Sequence, residues 1–356
     1  MPSPELSVWL LSAYRSQSHG AWADWLCKTF SDIHWQKREL PGRHFRWRIR
    51  GNPLSWLHQL PDDTPDFILA TSMVDLATLK GLHPRLANIP CIYYFHENQF
   101  AYPTNAQQHP SVDPQMVQLY GALAANRLIF NSAYNRDSFL QGVDNLLKKL
   151  PDEVPQNIVR ELQNKCHLLP VAIKPVACKT ERKNPQLILW NHRWEYDKAP
   201  QVFADALDIL SKTYPSFQLA LLGERPPQKP DALLQIEQQH SERITINQRV
   251  SKKDYRQLIA QAGIVVSSAV HEFQGLAMLE AASAGTIPLV PDDLCYREQY
   301  AEKYRYKAGS SKALAKKLYS TLQQPPGAAD VSFCYEENLI NQWRALLQLG
   351  PECNGF

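Results

Sequence analysis

Cysteine is sparse in this sequence, and long apolar runs are missing. Seven cysteines occur in 356 residues without a Cys-x-x-Cys pair, so neither a zinc site nor a disulfide framework is indicated. No run of about 20 apolar residues occurs, and a helix that crosses a bilayer needs that length. The apolar stretch at residues 8–11 is too short for a signal peptide. We therefore expect a cytoplasmic protein with no stable membrane association.

Neither sign of charge dominates, and the sequence contains no internal repeat or low-complexity tract. The formal net charge is +3, which does not by itself indicate a nucleic-acid partner. The hydrophobic fraction of 44% supports sizeable cores, and a length of 356 residues favours two domains.

Strands and helices alternate along the chain, most clearly at residues 264–291. There a short buried strand, a polar loop, a helix over 276–284 and a further strand follow one another. This order is a βαβ unit, from which parallel sheets are built. The polar segment 174–185 contains prolines and is the expected linker between two such regions. The sequence therefore predicts an α/β protein with two sheet domains.

Four charged side chains stand out in the second half. Arg193 and Lys198 follow a predicted strand and precede a helix, where two cations and the helix dipole suit a diphosphate. Glu272 lies in the loop of the βαβ unit, and Glu280 lies in its otherwise apolar helix. A surface loop with salt bridges is the alternative interpretation for the two cations.

Polar residues also follow two predicted strands of the first half. The loop at residues 14–20 ends at Gly20 and precedes a helix predicted from about residue 21, so it either holds an anion or a sugar or simply turns the chain. His96, Glu97 and Asn98 follow a strand at its carboxyl end, where ligands bind in open α/β sheets. His96 can exchange a proton or a hydrogen bond near neutral pH; the alternative is that it caps a turn.

Residues 37–51 form a basic segment with aromatic side chains, in which Glu39 is the single acidic residue. Guanidinium groups pair with phosphates and aromatic rings stack on bases, so the segment is a candidate RNA contact. The alternative is a solvated basic loop with its tryptophan in the core. The candidate RNA-binding side chains of this segment are Arg43, Arg46, Trp47, Arg48 and Arg50.

The second half resembles the retaining glycosyltransferases of family 4, which have the GT-B fold. The pair Glu272 and Glu280, in HEFQGLAMLE, is similar to the paired glutamates of that family, and Arg193 and Lys198 match its two donor-site cations. Three segments are similar to the glycosyltransferase-like domain-containing family: YFHENQFAYP, FNSAYNRDSFL and the segment at 271–300. That resemblance covers nearly the whole chain.

The resemblance implies two Rossmann-like domains with parallel sheets facing across a cleft. The first domain would comprise residues 1–172 and be completed by a C-terminal helical segment at 336–356. The second, at 173–335, would bind the nucleotide sugar. The implied reaction is transfer of mannose from GDP-mannose to queuosine at the wobble position of tRNA-Asp. Neither a metal nor another cofactor is required.

The resemblance also implies roles for particular residues. Arg193 and Lys198 would bind the donor diphosphate, Glu280 would bind the ribose, and Glu272 would either hold the hydroxyls of the donor sugar or orient the loop. His96 would lie near the sugar and the incoming hydroxyl. The backbone at Gly275, Leu276 and Gly20 would add donor contacts, and Glu97 and Asn98 would contact the acceptor. The sequence departs from the family pattern at two places. His192 replaces the usual glycine before the donor-site arginine, and Ser18-His19-Gly20 replaces an N-terminal Gly-Gly loop.

Two other functions remain open at this point. The first is a family 4 glycosyltransferase that acts on a glycan or glycolipid, because Phe45 and Trp47 within the basic segment also suit an anionic membrane surface. The second is a non-catalytic RNA- or nucleotide-binding protein. Its weakness is that Arg193, Lys198 and both glutamates are present.

Overall fold

The chain forms two compact units in the computed structural model, which describes residues 6–102, 111–176 and 183–350. Unit 1 comprises Met1–Val171 with Leu339–Phe356, and unit 2 comprises Ala172–Asn338. Pro103 of the predicted motif at 94–103, residues 177–182 of the predicted linker and residues 351–356 of the predicted C-terminal segment lie outside the described residues.

Unit 1 contains a six-stranded parallel sheet with the order β2-β1-β3-β4-β5-β6. Its strands are β1 Ser7–Arg15, β2 His34–Pro41, β3 Phe67–Thr71, β4 Cys91–Phe95, β5 Arg127–Phe130 and β6 Cys166–Leu168. Its helices are α1 Gln17–Thr29, α2 Phe45–Ser55, α3 Leu76–Leu82, α4 Asp113–Ala124, α5 Ala133–Leu147 and α6 Ile158–Asn164. Every residue of β3, β4 and β5 is buried, as strands covered on both faces require.

Unit 2 contains a second six-stranded parallel sheet with the order β12-β11-β10-β7-β8-β9. Its strands are β7 Asn184–Trp190, β8 Gln218–Leu221, β9 Ile244–Asn247, β10 Ala262–Val266, β11 Ile287–Pro291 and β12 Arg305–Tyr306. Its helices are α7 Pro200–Ser211, α8 Asp231–His240, α9 Lys252–Gln261, α10 Leu276–Ser283, α11 Tyr296–Gln299 and α12 Ser311–Gln323. The prediction of an α/β protein with two Rossmann-like parallel sheets is confirmed.

The last helix, α13 (Glu336–Leu349), begins in unit 2 and belongs to unit 1 from Leu339 onward. Its Trp343 is buried, with ring centroids 5.8 Å from Trp22 and 5.4 Å from Tyr94. The C-terminal helix therefore returns to the first unit and completes its aromatic core.

Two local predictions in the first half were wrong. Residues 14–20 were expected to be a loop, but α1 begins at Gln17 because the Ser16 side chain accepts a hydrogen bond from the His19 N–H and caps the helix. The alternative interpretation of the basic segment, a solvated loop, is also wrong, because the segment contains the end of β2 and most of α2. The buried side chains of Ile49 and Asn52 anchor that helix, although its sequence has only a weak apolar pattern.

Candidate active site

The carboxyl ends of β7 and β10 meet at the middle of the unit 2 sheet. The two strands are neighbours, but the chain continues from β7 to β8 on one side and from β10 to β11 on the other. In doubly wound sheets, ligands bind at such a switch in strand order. The loops that leave these two strands carry four of the predicted donor residues, Arg193, Lys198, Glu272 and Gly275.

A buried ion pair joins the two loops. The Nζ atom of Lys198 lies 3.1 Å from a carboxylate oxygen of Glu272 and 3.1 Å from one of Asp197. It also donates a hydrogen bond to the backbone oxygen of His271 at 3.0 Å, and Lys198 is only 8% exposed. The structure therefore brings Lys198 and Glu272 together, 74 positions apart in sequence.

Backbone contacts fix the geometry of this pair. The Ser268 hydroxyl donates to the backbone oxygen of Lys198 at 2.9 Å, and the Val270 N–H donates to that of Asp197 at 2.9 Å. Ala199 has a left-handed backbone with φ of 44°, which ends the short helical turn carrying Lys198 and starts α7. The two loops are thus held against each other before any ligand binds.

The ion pair remains charged at neutral pH. Burial opposes ionisation of Glu272, but the charge of Lys198 and hydrogen bonds from Lys198 and the Gly275 N–H lower the pKa of Glu272 to about 2. Burial also opposes the charge of Lys198, yet Glu272 and Asp197 raise its pKa. The site therefore keeps one fixed cation and a fixed carboxylate in a dry environment.

Arg193 differs from Lys198 in exposure. Its side chain is 50% exposed and lies 3.0 Å from Glu195. The next residue, Trp194, anchors the loop by donating from Nε1 to the backbone oxygen of Leu222 at 2.8 Å. The preceding His192 is buried, and burial lowers its pKa to about 4. Arg193 is thus an exposed cation on a fixed loop beside the buried pair.

Helix α10 begins at the same loop. Gly275 has a φ of +67°, and an added Cβ there would lie 3.0 Å from Cε1 of Tyr296. Its N–H donates to Glu272, and Leu276 is the first helical residue. The positive end of the helix dipole therefore lies beside the ion pair.

Glu280, one helical turn further along α10, belongs to a separate polar cluster. The Tyr255 hydroxyl is hydrogen-bonded to Glu280, and Asn191 donates to that hydroxyl at 3.1 Å. Burial raises the pKa of Glu280, while the Tyr255 hydrogen bond opposes the shift. Oδ1 of Asn191 is buried without a partner among the described residues. Sequence reasoning found Glu280 and missed Asn191 and Tyr255, although the position of Asn191 directly after β7 was a usable signal.

In unit 1, the predicted His96 lies in an aromatic environment after β4. Its ring stacks on that of His19 with centroids 4.2 Å apart and planes 17° apart, and it meets Trp22 edge-on at 4.6 Å. Its Nε2 atom is buried with no hydrogen-bond partner among the described residues. The sequence analysis named His19 only as part of Ser18-His19-Gly20 and gave it no role. Gly20 follows it inside α1, where its N–H donates to the Ser16 backbone oxygen at 2.9 Å.

Three asparagines hold the loop after His96. Asn131 donates to the His96 backbone oxygen at 2.8 Å and accepts from Asn135 at 2.8 Å. The Asn98 amide donates to Asn135 at 2.9 Å and accepts from the N–H groups of two following residues. Asn98 is fully buried and anchors the loop, and its predicted contact with the acceptor stays a prediction. Glu97 is half-buried and accepts from Gln99 at 3.4 Å.

The basic segment presents part of α2 to solvent. Trp47 is 50% exposed and lies over Gly51, where an added Cβ would be 2.6 Å from its ring. Arg43 and Arg46 are exposed, and Arg48 is half-buried. Arg50 is engaged by an ion pair with Asp75. Trp47 is therefore not in the core, and the exposed side chains form a basic and aromatic surface.

No group of three or more His, Cys, Asp and Glu side chains that could hold a metal ion occurs within residues 6–102, 111–176 and 183–350. Among the helices described there, none is both long and apolar enough to cross a bilayer.

Solved structures share this fold. Sucrose-phosphate synthase from Thermosynechococcus elongatus has a TM-score of 0.70 at 12% identity, over 97% of this chain and 97% of that one. Anabaena Alr3699/HepE in complex with UDP has a TM-score of 0.69 at 13% identity, over 96% of this chain and 98% of that one. At these identities the likeness shows the fold alone, and that fold is GT-B.

Sequence comparisons identify the family. Residues 7–173 match the model described as tRNA-queuosine alpha-mannosyltransferase N-terminal, and residues 177–332 match that of glycosyl transferases group 1. The tRNA-queuosine alpha-mannosyltransferase of Drosophila melanogaster is 32% identical over 299 residues, which is 80% of this chain and 79% of that protein. The chain is therefore a glycosyltransferase and belongs to the tRNA-queuosine α-mannosyltransferase family.

Proposed function

We propose that this chain transfers mannose from GDP-mannose to the cyclopentene diol of queuosine at the wobble position of tRNA-Asp, in the cytoplasm. The similarity to the Drosophila melanogaster tRNA-queuosine alpha-mannosyltransferase over 80% of the chain carries the proposal. The buried Lys198–Glu272 pair at the strand-order switch of unit 2 supports a donor site there.

The chemistry of the donor explains the two cations. Breaking the bond between the sugar and the phosphate leaves negative charge on the diphosphate and positive charge on the sugar ring. Lys198 keeps its charge, and its three N–H groups point to oxygens of Glu272, Asp197 and the His271 backbone, so one of them turns to the diphosphate to stabilise the leaving group. Arg193 is exposed and adds a guanidinium fork that pairs with phosphate oxygens.

The start of α10 and the cluster around Glu280 complete the donor site. The Leu276 N–H and the helix dipole favour an anion beside the ion pair. The Glu280 carboxylate, held by Tyr255, accepts hydrogen bonds from the two ribose hydroxyls. Glu272 is held by Lys198 and accepts from sugar hydroxyls with its remaining lone pairs. Because these groups supply the charge and the hydrogen bonds, we infer that the reaction requires no metal ion.

The reaction proceeds with retention at the sugar carbon. The carboxylate of Glu272 is committed to Lys198 and the Gly275 N–H, which makes it a poor nucleophile. The bond from the sugar carbon to the phosphate oxygen breaks, and the acceptor hydroxyl oxygen bonds to the same face of that carbon. The proton of the hydroxyl passes to an oxygen of the leaving phosphate, so charge and atoms balance.

Unit 1 provides the contacts to the acceptor. Arg43, just before α2, and Arg46 and Trp47, within α2, are exposed, and exposed guanidinium groups with an aromatic ring suit an anionic polymer with stacking bases. His96 offers a buried ring nitrogen to a substrate hydroxyl.

A panel of labelled nucleotide sugars tests the donor. Purified protein is incubated with queuosine-containing tRNA and, separately, GDP-mannose, UDP-glucose and UDP-galactose, and label in the tRNA is counted. We expect transfer from GDP-mannose alone. Transfer from a UDP-sugar instead contradicts the donor assignment. Label in added lipid rather than in tRNA favours the glycolipid alternative and contradicts the acceptor.

A further inference from the structure

The stacked imidazoles of His19 and His96 form a buried polar pair in unit 1. Their ring centroids are 4.2 Å apart, and the two residues are 7% and 8% exposed. Aromatic rings enclose His96, with centroids 4.6 Å away for Trp22 and 4.7 Å away for Tyr94. The Nε2 atom of His96 is buried without a hydrogen-bond partner among the described residues, and burying an unpaired polar atom is costly, so a ligand that pairs with it would be stabilised.

The hydrogen bond of His19 fixes which ring nitrogen carries its proton. Nδ1 lies 3.1 Å from the backbone oxygen of Tyr14. A carbonyl oxygen only accepts, so Nδ1 is the donor. In the neutral ring Nε2 then has a lone pair and no proton. The bond to Tyr14 therefore leaves this Nε2 as a hydrogen-bond acceptor.

Both rings are neutral at physiological pH. Burial lowers the pKa of His19 to about 4, and its bond to Tyr14 only partly opposes the shift. Burial, together with the neighbouring His19, lowers the pKa of His96 well below its ordinary value. The pair therefore carries no charge to attract an anion.

The start of α1 offers no anion site either. The His19 N–H donates to the Ser16 hydroxyl at 3.3 Å, and the Gly20 N–H donates to the Ser16 backbone oxygen at 2.9 Å. A phosphate oxygen would face the lone pair of His19 Nε2 and be repelled. Of the two ligands first considered for residues 14–20, the geometry favours a sugar-like hydroxyl over an anion.

We propose that His19 is a further substrate-binding residue, whose Nε2 accepts a hydrogen bond from a substrate hydroxyl beside the unpartnered Nε2 of His96. The ligand is a neutral ring that carries neighbouring hydroxyls. This inference rests on the proposed function, in which such hydroxyls come from the queuosine diol or from the mannose of the donor. Tyr14 orients His19 through its backbone, and His96 supports the ring by stacking.

Three substitutions separate hydrogen bonding from packing. His19→Asn can still donate to Tyr14 but has no acceptor at the Nε2 position. His19→Phe keeps a ring against His96 and also lacks the acceptor. His19→Gln places an amide oxygen near the Nε2 position. We expect kcat/KM to fall about tenfold in the Asn and Phe variants, the worth of one hydrogen bond, and to be partly restored in the Gln variant.

Binding measurements locate the hydroxyl. Calorimetric titration with GDP-mannose and with GDP compares a ligand that has the sugar with one that lacks it. Weaker binding of GDP-mannose but not of GDP by His19→Asn assigns the contact to mannose. Unchanged donor binding with a raised KM for queuosine-containing tRNA assigns it to the diol. Both results support the proposal.

Wild-type kcat/KM for both substrates in folded His19→Asn and His19→Phe overturns the proposal. An equal loss in all three variants, together with a lowered unfolding midpoint, also overturns it because packing then explains the effect. The calorimetric titrations use only GDP-mannose and GDP, so their outcome does not depend on the identity of the acceptor. If the wild type transfers no mannose to tRNA but His19→Asn loses affinity for GDP-mannose alone, the hydroxyl contact stands and the proposed acceptor fails.

Discussion

At the scale of single residues, Lys198 holds the two charged loops of unit 2 together. Its ammonium group donates to the His271 backbone and lies 3.1 Å from both Glu272 and Asp197. Removing one partner of a buried ion pair leaves the other charge unpaired in a poorly solvated place. Lys198 therefore serves the local structure of the site as well as the proposed chemistry.

Replacement of Lys198 tests that dual role. We expect Lys198→Ala to lower kcat about 100-fold or more, because a fixed group that stabilises developing charge is lost. The measurement is steady-state mannose transfer, with circular dichroism as a check of folding. Lys212→Ala removes an exposed lysine of the same unit and is the matched control. Near-wild-type turnover in a folded Lys198→Ala protein removes Lys198 from the mechanism.

The neutral histidines predict how stability depends on pH. The pKa of His19 is about 4 in the folded protein and ordinarily 6.5. As the pH falls, His19 in the unfolded chain thus takes up a proton at a higher pH than His19 in the folded protein. The stability that neutral His19 contributes is complete above 6.5 and is lost as the pH falls towards about 4.

We expect the free energy of unfolding to decrease over that pH range, and to decrease less steeply in His19→Phe. His192 and His271, whose pKa values are also about 4, keep part of the effect in the variant. Urea titrations at several pH values measure it. The same pH dependence in wild type and His19→Phe would show that His19 is not held neutral by burial.

At the scale of elements, the loop between β10 and α10 depends on the backbone of Gly275. Its left-handed conformation turns the chain so that α10 starts beside Glu272, and its N–H reaches that carboxylate. Tyr296 closes the space that a side chain would need. One residue therefore sets both the direction of the helix and a hydrogen bond of the site.

Two glycine substitutions separate these contributions. Gly275→Ala and Gly309→Ala both place a side chain on a left-handed backbone, with φ of +67° and +70°, which costs about 1–2 kcal/mol. An added Cβ meets Tyr296 at position 275 and nothing within 4 Å at position 309. We expect both variants to lose stability, and only Gly275→Ala to bind GDP-mannose more weakly. Equal donor affinity in the two variants contradicts the role of Gly275.

Helix α2 is the second element with a testable role, because it exposes cations and a tryptophan on one segment. Arg46→Ala should weaken tRNA binding and reduce the slope of log affinity against log salt by about one, as expected for one lost phosphate contact. Trp47→Ala should weaken binding with little change in slope, because stacking releases no counterions. Lys149→Ala, at an exposed lysine of the same unit, is the control. Unchanged affinity in both α2 variants excludes this surface as the RNA contact.

At the scale of the whole molecule, the fold was largely predictable. The parallel strands are covered on both faces, so β4 and β5 are short apolar runs that sequence reveals directly. Strand β2 was missed because it is an edge strand whose residues HWQKRELP are mostly polar. Helix α2 was missed because its arginines and Pro53 hide the few residues that anchor it.

The candidate donor site was predictable to the extent that its residues follow strands. Lys198 and Glu272 lie in the loops that follow neighbouring strands and do meet, since the loops after parallel strands lie at one edge of the sheet. Tyr255 lies within α9 and reaches Glu280 only through helix packing, and His19 meets His96 only through the stacking of two rings. Spacing along the chain carries no signal for such contacts.

The mass of the wobble nucleoside of tRNA-Asp, measured before and after incubation with the protein and GDP-mannose, tests the central claim most directly. The account predicts that queuosine gains the mass of one hexose residue. It predicts no gain in the same tRNA carrying guanosine at that position, because the diol is then missing. A queuosine nucleoside of unchanged mass, or an equal gain on guanosine, would contradict the account.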